Sequence, residues 1–268
     1  MICYFYSTIF ILGTLIGSFI NCLVWRLHKN ESILGRSYCP KCRKQIYWYE
    51  NIPILSYIFL KAKCSGCGKK ISIQYPLVEL ITGILFALSF YLNLVNLGAI
   101  DLYGIVFSFD FEFLIRVIRD LFLISVMIII FLYDLRWYLI LDRITLPAIF
   151  LIFALNIFLG FDLKSLLLGV LVGGGFFLFQ FLVSRGKWIG GGDIRLGALM
   201  GAMFSWPMIL LALFLSYIIG SLVSVPLVIF GKKEWGSQIP FGVFLTSASV
   251  VVVFWGTEIL RWYLSLIY

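Results

Sequence analysis

The sequence predicts an all-α polytopic membrane protein, with about eight transmembrane helices and a cytoplasmic four-cysteine zinc loop. Three observations lead there. Only 13% of the 268 residues are charged and 62% are hydrophobic, whereas a soluble domain carries about 25% charged residues. The apolar residues fall in runs suited to a bilayer core of about 30 Å, which takes about 20 helical residues to cross. The positive charge is concentrated in one segment, 26–70.

The first run is 2–25, and Arg26 is the first charge. A secretory signal would open with a basic stretch and end in a small-residue cleavage site. This run has neither, so it is expected to remain as a first helix with its N-terminus outside. Further spans are expected at 77–97, 121–133, 144–161, 166–183, 207–230 and 241–263. A shorter apolar helix, 194–204, is expected between the glycine run 190–192 and Ser205-Trp206-Pro207. Few charges interrupt these segments, as a backbone that must satisfy itself in lipid requires.

Ten basic residues lie between Arg26 and Lys70: Arg26, Lys29, Arg36, Lys41, Arg43, Lys44, Lys61, Lys63, Lys69 and Lys70. Only Glu31 and Glu50 oppose them. The positive-inside rule puts this segment in the cytoplasm. Nucleic-acid binding is the competing reading of a basic patch, but juxtamembrane placement already accounts for the charges, so no nucleic-acid partner is expected. Alternation then puts 98–112 and 162–164 outside, and 134–143, 184–193 and 231–238 inside. Lys187, Lys232 and Lys233 agree with the inside assignments.

Of the six cysteines, Cys3 and Cys22 fall in the first apolar run and are expected to be packing residues. The others form Cys39-Pro-Lys-Cys42 and Cys64-Ser-Gly-Cys67, with 21 residues between the pairs. Two such knuckles can supply four thiolates to one tetrahedral ion, with a redox-active dithiol pair as the alternative reading. Gly66 and Gly68 ease the second turn. Cytosolic thiols stay reduced, which argues against disulfides. Four sulfurs leave no open coordination position, so the zinc is expected to be structural.

Elimination narrows the chemistry. The single histidine, His28, excludes an H-E-x-x-H metalloprotease, and no G-x-S-x-G elbow is present. His28 itself reads as a solvated flanking residue. Acids remain. Asp134 closes the run 128–133, and Asp193 follows Gly190-Gly191-Gly192 and opens the short helix. Both belong to the same membrane face, at span ends where a carboxylate is costly and usually functional. Two nearby carboxyls share a proton, so that one takes a proton from water while the other donates to a scissile carbonyl. Glycines beside Asp193 allow close approach of an extended peptide. Other readings stay open at this point. Asp193 and Asp142 suit helix N-caps, Asp134 can pair with Arg136 or Arg143, and a proton-coupled carrier would use the same acids.

Further motifs accumulate in order along nearly the whole chain. They are Gly17-Ser18-Phe19-Ile20-Asn21 with Arg26-Leu27, Arg36-Ser37-Tyr38-Cys39-Pro40-Lys41-Cys42, Asn51-Ile52-Pro53-Ile54-Leu55-Ser56, Cys64 to Cys67, Tyr75-Pro76-Leu77-Val78-Glu79, Asp134 with Leu141-Asp142, Gly190-Gly191-Gly192-Asp193, and Pro240-Phe241-Gly242. Together they resemble the type IV prepilin peptidase family of GxGD intramembrane aspartyl proteases, which are also N-methyltransferases. The resemblance implies a multi-pass protein of the bacterial inner membrane, with its active site facing the cytoplasm. It would cut the basic leader of prepilins or pseudopilins after a glycine and methylate the new N-terminus from S-adenosylmethionine. By position, Asp134 and Asp193 become the catalytic pair, with Gly190, Gly191, Gly192, Asp142 and Arg195 at the substrate. Asn21, Arg26 and Glu79 are carried over as candidate contributors to the methyl-donor site. Residues 1–97, with the loop at about 28–76, become the methyltransferase region, and 113–268 the peptidase domain. The family often has Pro at Leu141, Lys at Arg195 and Pro at His28; none of these departures removes an aspartate or a cysteine.

Overall fold

The computed structural model describes residues 2–96, 110–231 and 239–266. Most of the expected outer loop 98–112 and inner loop 231–238, with Lys232 and Lys233, lies outside the described residues. The chain divides into two compact units, Met1–Phe109 and Asp110–Tyr268. Every long element is α-helical, as the apolar runs require.

In the first unit, α1 (Ile2–Lys29) packs against α3 (Gln74–Asn96). The contact is close because glycines form it. A methyl placed on Gly13 would lie 2.7 Å from the Gly83 Cα, and one on Gly17 would lie 2.8 Å from the Glu79 Cα. Small residues that let backbones meet are how helices associate in lipid, where no hydrophobic drive separates helix from solvent. Arg26, His28 and Lys29 fill the last turn of α1 and complement its dipole. Asn30, with φ at 54°, ends it. The intervening loop carries a short helix, α2 (Leu55–Phe59), and two small hairpins of matching design. Cys39 N–H donates to Lys44 O and Arg43 N–H to Cys39 O; likewise Cys64 N–H donates to Lys69 O and Gly68 N–H to Cys64 O, each at 2.9 Å. Arg43 and Gly68 take the equivalent left-handed positions, with φ of 58° and 67°.

The second unit holds α4 (Phe111–Trp137), α5 (Asp142–Phe158), α6 (Leu163–Ser184), α7 (Gly191–Ile229) and α8 (Phe241–Ser265). Within α7 the backbone leaves helical geometry at Ser205 and Trp206, and the chain turns back on itself. Contacts with α6 trace the reversal. Gly169 meets Gly201 and Ser205, while Gly173 meets Gly197 from the first limb and Ile209 from the second. Ser165 Oγ donates to the Trp206 carbonyl at 2.7 Å and pins the turn. A hydrogen-bonded cluster supports the end of the first limb. Buried Asn156 Nδ2 donates to the Ala202 carbonyl at 2.7 Å, and Arg119 Nη1 donates to Asn156 Oδ1 at 3.1 Å. The apolar core gathers Met127, Ile130, Ile152, Phe177, Leu196, Met200 and Leu245 between these helices.

Among the described residues, five helical stretches are long and apolar enough to cross a membrane by length and composition: Tyr4–Lys29, Gln74–Val95, Leu163–Ser184, Gly191–Ile229 and Phe241–Ser265. The sequence led to about eight. The difference has local causes. α4 carries Arg116, Arg119, Asp120, Asp134 and Arg136 among its 27 residues, α5 is only 17 residues long, and the two limbs of α7 count as one. Large apolar side chains such as Leu171, Phe179 and Phe214 stay exposed around the helices, as on the surface of a multi-pass membrane protein.

Candidate active site and metal centre

Asp134 sits in the last turn of α4, buried behind Tyr133. The helix closes at Tyr138, whose φ is 56° and whose N–H returns to the Asp134 carbonyl at 2.9 Å. The Asp134 carboxylate is caught by the N-terminus of α8. Its Oδ2 accepts from Val243 N–H at 3.1 Å, and the Gly242 N–H joins it. Free backbone donors and the positive helix end make this a natural anion seat. Gly242 has to lack a side chain, because a methyl there would lie 2.7 Å from Oδ2.

Asp193 is the third residue of α7. Its Oδ2 accepts from the Gly190 N–H at 3.1 Å; the N-cap position expected for Asp193 belongs to Gly190 instead, and Asp193 reaches back to that residue from inside the first turn. That bond does not exhaust it. Asp193 is only 8% exposed and lies within electrostatic reach of the Asp134 carboxylate, itself 4% exposed. Two buried carboxyls that feel each other's charge do not both ionise cheaply. Ile140 occupies the space that a side chain on either Gly192 or Gly242 would need.

The three glycines divide their work. Gly192 is used internally, since a methyl on it would lie 2.8 Å from Ile140 Cβ. A methyl on Gly190 or Gly191 would meet nothing closer than 3.6 or 3.8 Å, so their backbone stays approachable. Asp142, at the start of α5, pairs with Arg195 Nη1, and the buried Nε of Arg195 has no partner. Sequence reasoning missed Gln180 and Tyr217, whose side chains join α6 to the second limb of α7 through a 3.1 Å hydrogen bond. A polar side chain alone in the run 166–183 was the signal that would have found Gln180.

In the first unit, the sulfurs of Cys39, Cys42, Cys64 and Cys67 all lie within 4.8 Å of one another, and Cys42 and Cys64 are 4.0 Å apart. A tetrahedral ion with bonds of about 2.3 Å needs sulfurs about 3.8 Å apart, so the cluster fits zinc after slight contraction. Backbone N–H groups of Cys67 and Gly66 hold the Cys64 thiol down to about 6, ready to bind as thiolate. Glu50 ties the two hairpins together. It accepts from Ser65 Oγ, from Tyr47 N–H at 3.0 Å and from Lys44 Nζ at 3.3 Å. Those bonds, Ser65 first and then the Tyr47 amide, hold its carboxyl below the usual range.

The residues carried over for a methyl donor are all buried and all engaged. Arg26 gives its guanidinium to the carbonyls of Ser32, Ile33, Gly35 and Arg36. Asn21 donates to the carbonyls of Gly17 and Tyr75. Glu79 accepts from Ile54 N–H at 2.7 Å and from Ser18.

The model of the bacterial peptidase A24 N-terminal domain matches residues 11–93, and that of the type IV leader peptidase family matches residues 121–225. A prepilin leader peptidase/N-methyltransferase of Bacillus subtilis is 33% identical over 263 residues, covering 97% of this chain and 98% of that protein. The protein of the same name from Pseudomonas aeruginosa is 31% identical, covering 95% and 92%. The one from Aeromonas salmonicida is 28% identical, covering 98% and 95%. No solved structure matches. With two successive domain models matched and relatives aligned nearly end to end, the chain belongs to the type IV leader peptidase family and is a peptidase of that family.

Proposed function

We propose that this protein cleaves the basic leader of a type IV prepilin or pseudopilin after a glycine, using Asp134 and Asp193 as a proton-sharing pair. The observation that supports the reading is that both acids are buried, each has one oxygen held by backbone N–H, and Asp193 lies within electrostatic reach of Asp134. The ionised carboxyl takes a proton from water, and the water oxygen attacks the scissile carbonyl carbon. The protonated carboxyl gives its proton to the carbonyl oxygen. Collapse of the tetrahedral intermediate breaks the C–N bond, and the proton taken from water passes to the leaving amine. Gly190 and Gly191 give the substrate backbone room, while the Asp142–Arg195 pair flanks the approach.

The same reading makes the protein a span-rich resident of the bacterial inner membrane, with about eight crossings and the acids and the cysteine loop facing the cytoplasm. The four cysteines hold a structural zinc. N-methylation of the trimmed end falls to the region 1–97, with S-adenosylmethionine supplying the methyl group. There Glu79 is the buried carboxylate suited to the donor's positive sulfur, and Asn21 and Arg26 hold α1 and the loop around it. The peptidase work falls to 113–268.

The experiment incubates the purified chain in detergent with a prepilin and follows product mass. Wild type removes the leader, and Asp134→Ala or Asp193→Ala does not; normal processing by either variant rejects the pair. Labelled methyl transfer to the trimmed product tests the second activity separately.

A further inference from the structure

Gln180 and Tyr217 are hydrogen-bonded to each other between α6 and the second limb of α7 and have no part in the chemistry above. Gln180 is the one residue in 166–183 whose side chain hydrogen-bonds. Its Oε1 accepts from the Tyr217 hydroxyl at 3.1 Å, while its Nε2 is buried without a partner. An unanswered buried donor is costly, more so among apolar neighbours, and polar groups at such depth usually serve function.

Tyr217 fixes where the pair sits. Its ring centroid is 5.1 Å from that of Phe241 and 5.9 Å from that of Phe176. Its hydroxyl lies within electrostatic reach of Asp193. Phe241 directly precedes Gly242, whose N–H holds Asp134. The pair therefore adjoins the surroundings of both acids. Tyr217 and Phe176 each remain 40% exposed, so the pair opens to the periphery of the bundle. Lipid tails there offer no acceptor.

A protein substrate offers one. A peptide extended for cleavage carries unpaired carbonyls, and in an apolar surrounding they need donors. We propose that Gln180 and Tyr217 form a subsite for the substrate backbone beside the cleaved bond. Gln180 Nε2 donates to a substrate carbonyl, and Tyr217 holds the amide in place by donating to Oε1. Gln180 is then a binding residue and Tyr217 a positioning residue acting through it. The inference rests on the peptidase reading of Asp134 and Asp193.

Steady-state cleavage of a purified prepilin by the full chain in detergent tests it. Gln180→Leu removes the donor and keeps most of the volume; Tyr217→Phe removes the hydroxyl and keeps the ring contacts. Losing one hydrogen bond to substrate raises KM about threefold to tenfold in Gln180→Leu, with kcat within about twofold. Tyr217→Phe moves KM the same way by about threefold, and the double variant is no worse than Gln180→Leu, because the two act as one unit. An unchanged KM in Gln180→Leu, or a fall in kcat with KM intact, overturns the proposal. If the melting temperature shows that Gln180→Leu folds poorly, an unchanged KM in Tyr217→Phe overturns it equally. Asp134→Ala and Asp193→Ala run alongside. Continued cleavage by them removes the peptidase reading; their inactivity beside a wild-type KM in Gln180→Leu removes the subsite alone.

Discussion

A single hydrogen atom at Gly242 decides the position of Asp134. The carboxylate reaches the α8 amides only because no side chain intervenes. Gly242→Ala is expected to push Asp134 from its seat and lower kcat by at least about a hundredfold, the usual cost of misplacing a reacting group by about 1 Å. The melting temperature should change little, and activity near wild type would mean that Asp134 works from another position. Glu50 plays the comparable part in the metal loop, since one side chain joins Tyr47 and Lys44 from the first hairpin to Ser65 from the second. Because its carboxyl is held below the ordinary value of 4.5, its contribution is complete above about pH 4.5 and disappears as pH falls through the lower folded value. At pH 7 it is fully ionised, so Glu50→Gln removes the charge without altering size. Groups that orient metal ligands are commonly worth tenfold to a hundredfold in affinity, and zinc held against a competing chelator should weaken by about that factor. Equal retention in the two proteins would show that the cysteines alone fix the site.

Among the helices, glycine acts as a contact surface and not as a source of looseness. Gly169 and Gly173 of α6 face Gly201 and Gly197 of the first limb of α7, and a methyl on Gly201 would lie 2.1 Å from the Gly169 carbonyl oxygen. Backbone cannot yield as a side chain does, so Gly201→Ala should destabilise the fold by about 1–3 kcal/mol. Gly175→Ala is the control, because nothing stands within 4 Å of that position and alanine is the better helix former. Thermal unfolding in one detergent compares them; equal midpoints would show that the helices separate easily. These contacts were not legible in the sequence, where the glycines of 166–183 read only as a permissible part of a span. The break at Ser205-Trp206-Pro207 was legible, because a proline after two helix-poor residues interrupts an apolar run visibly. The start of α4 was not. The charges at Arg119 and Asp120 read as the edge of a span beginning at 121, yet the helix starts at Phe111. Arg119 is answered by Asp120 and Asn156, and Asn156 comes from a different helix that no local pattern announces. The same limit hid Gln180 and Tyr217, whose meaning depends on two helices meeting. The cysteine knuckles were legible in full, since their chemistry lies in local spacing.

At the scale of the whole chain, the four-cysteine cluster and the two buried aspartates lie in separate compact units. Cys39, Cys42, Cys64 and Cys67 lie within Met1–Phe109, and Asp134 and Asp193 lie within Asp110–Tyr268. The two matched family models divide in the same way, over 11–93 and 121–225. Each unit has its own tightly packed helices: glycine contacts join α1 to α3 in the first, and α6 to α7 in the second. Damage to the acid pair should therefore stay local. Asp134→Asn and Asp193→Asn keep the side-chain size and a hydrogen-bond acceptor for the amides that hold each group, but neither can ionise. Each should lower cleavage by at least about a thousandfold, as removal of a central catalytic group does. Both variants should still carry one equivalent of zinc, as the four-cysteine cluster predicts. Given a substrate already trimmed of its leader, both should also transfer the methyl group at a rate within about twofold of wild type. Metal analysis and labelled methyl transfer on the same preparations make the comparison. Loss of zinc or of methyl transfer in variants that keep the wild-type melting temperature would mean that the two units share one functional site, and the division of chemistry along the chain would have to be abandoned.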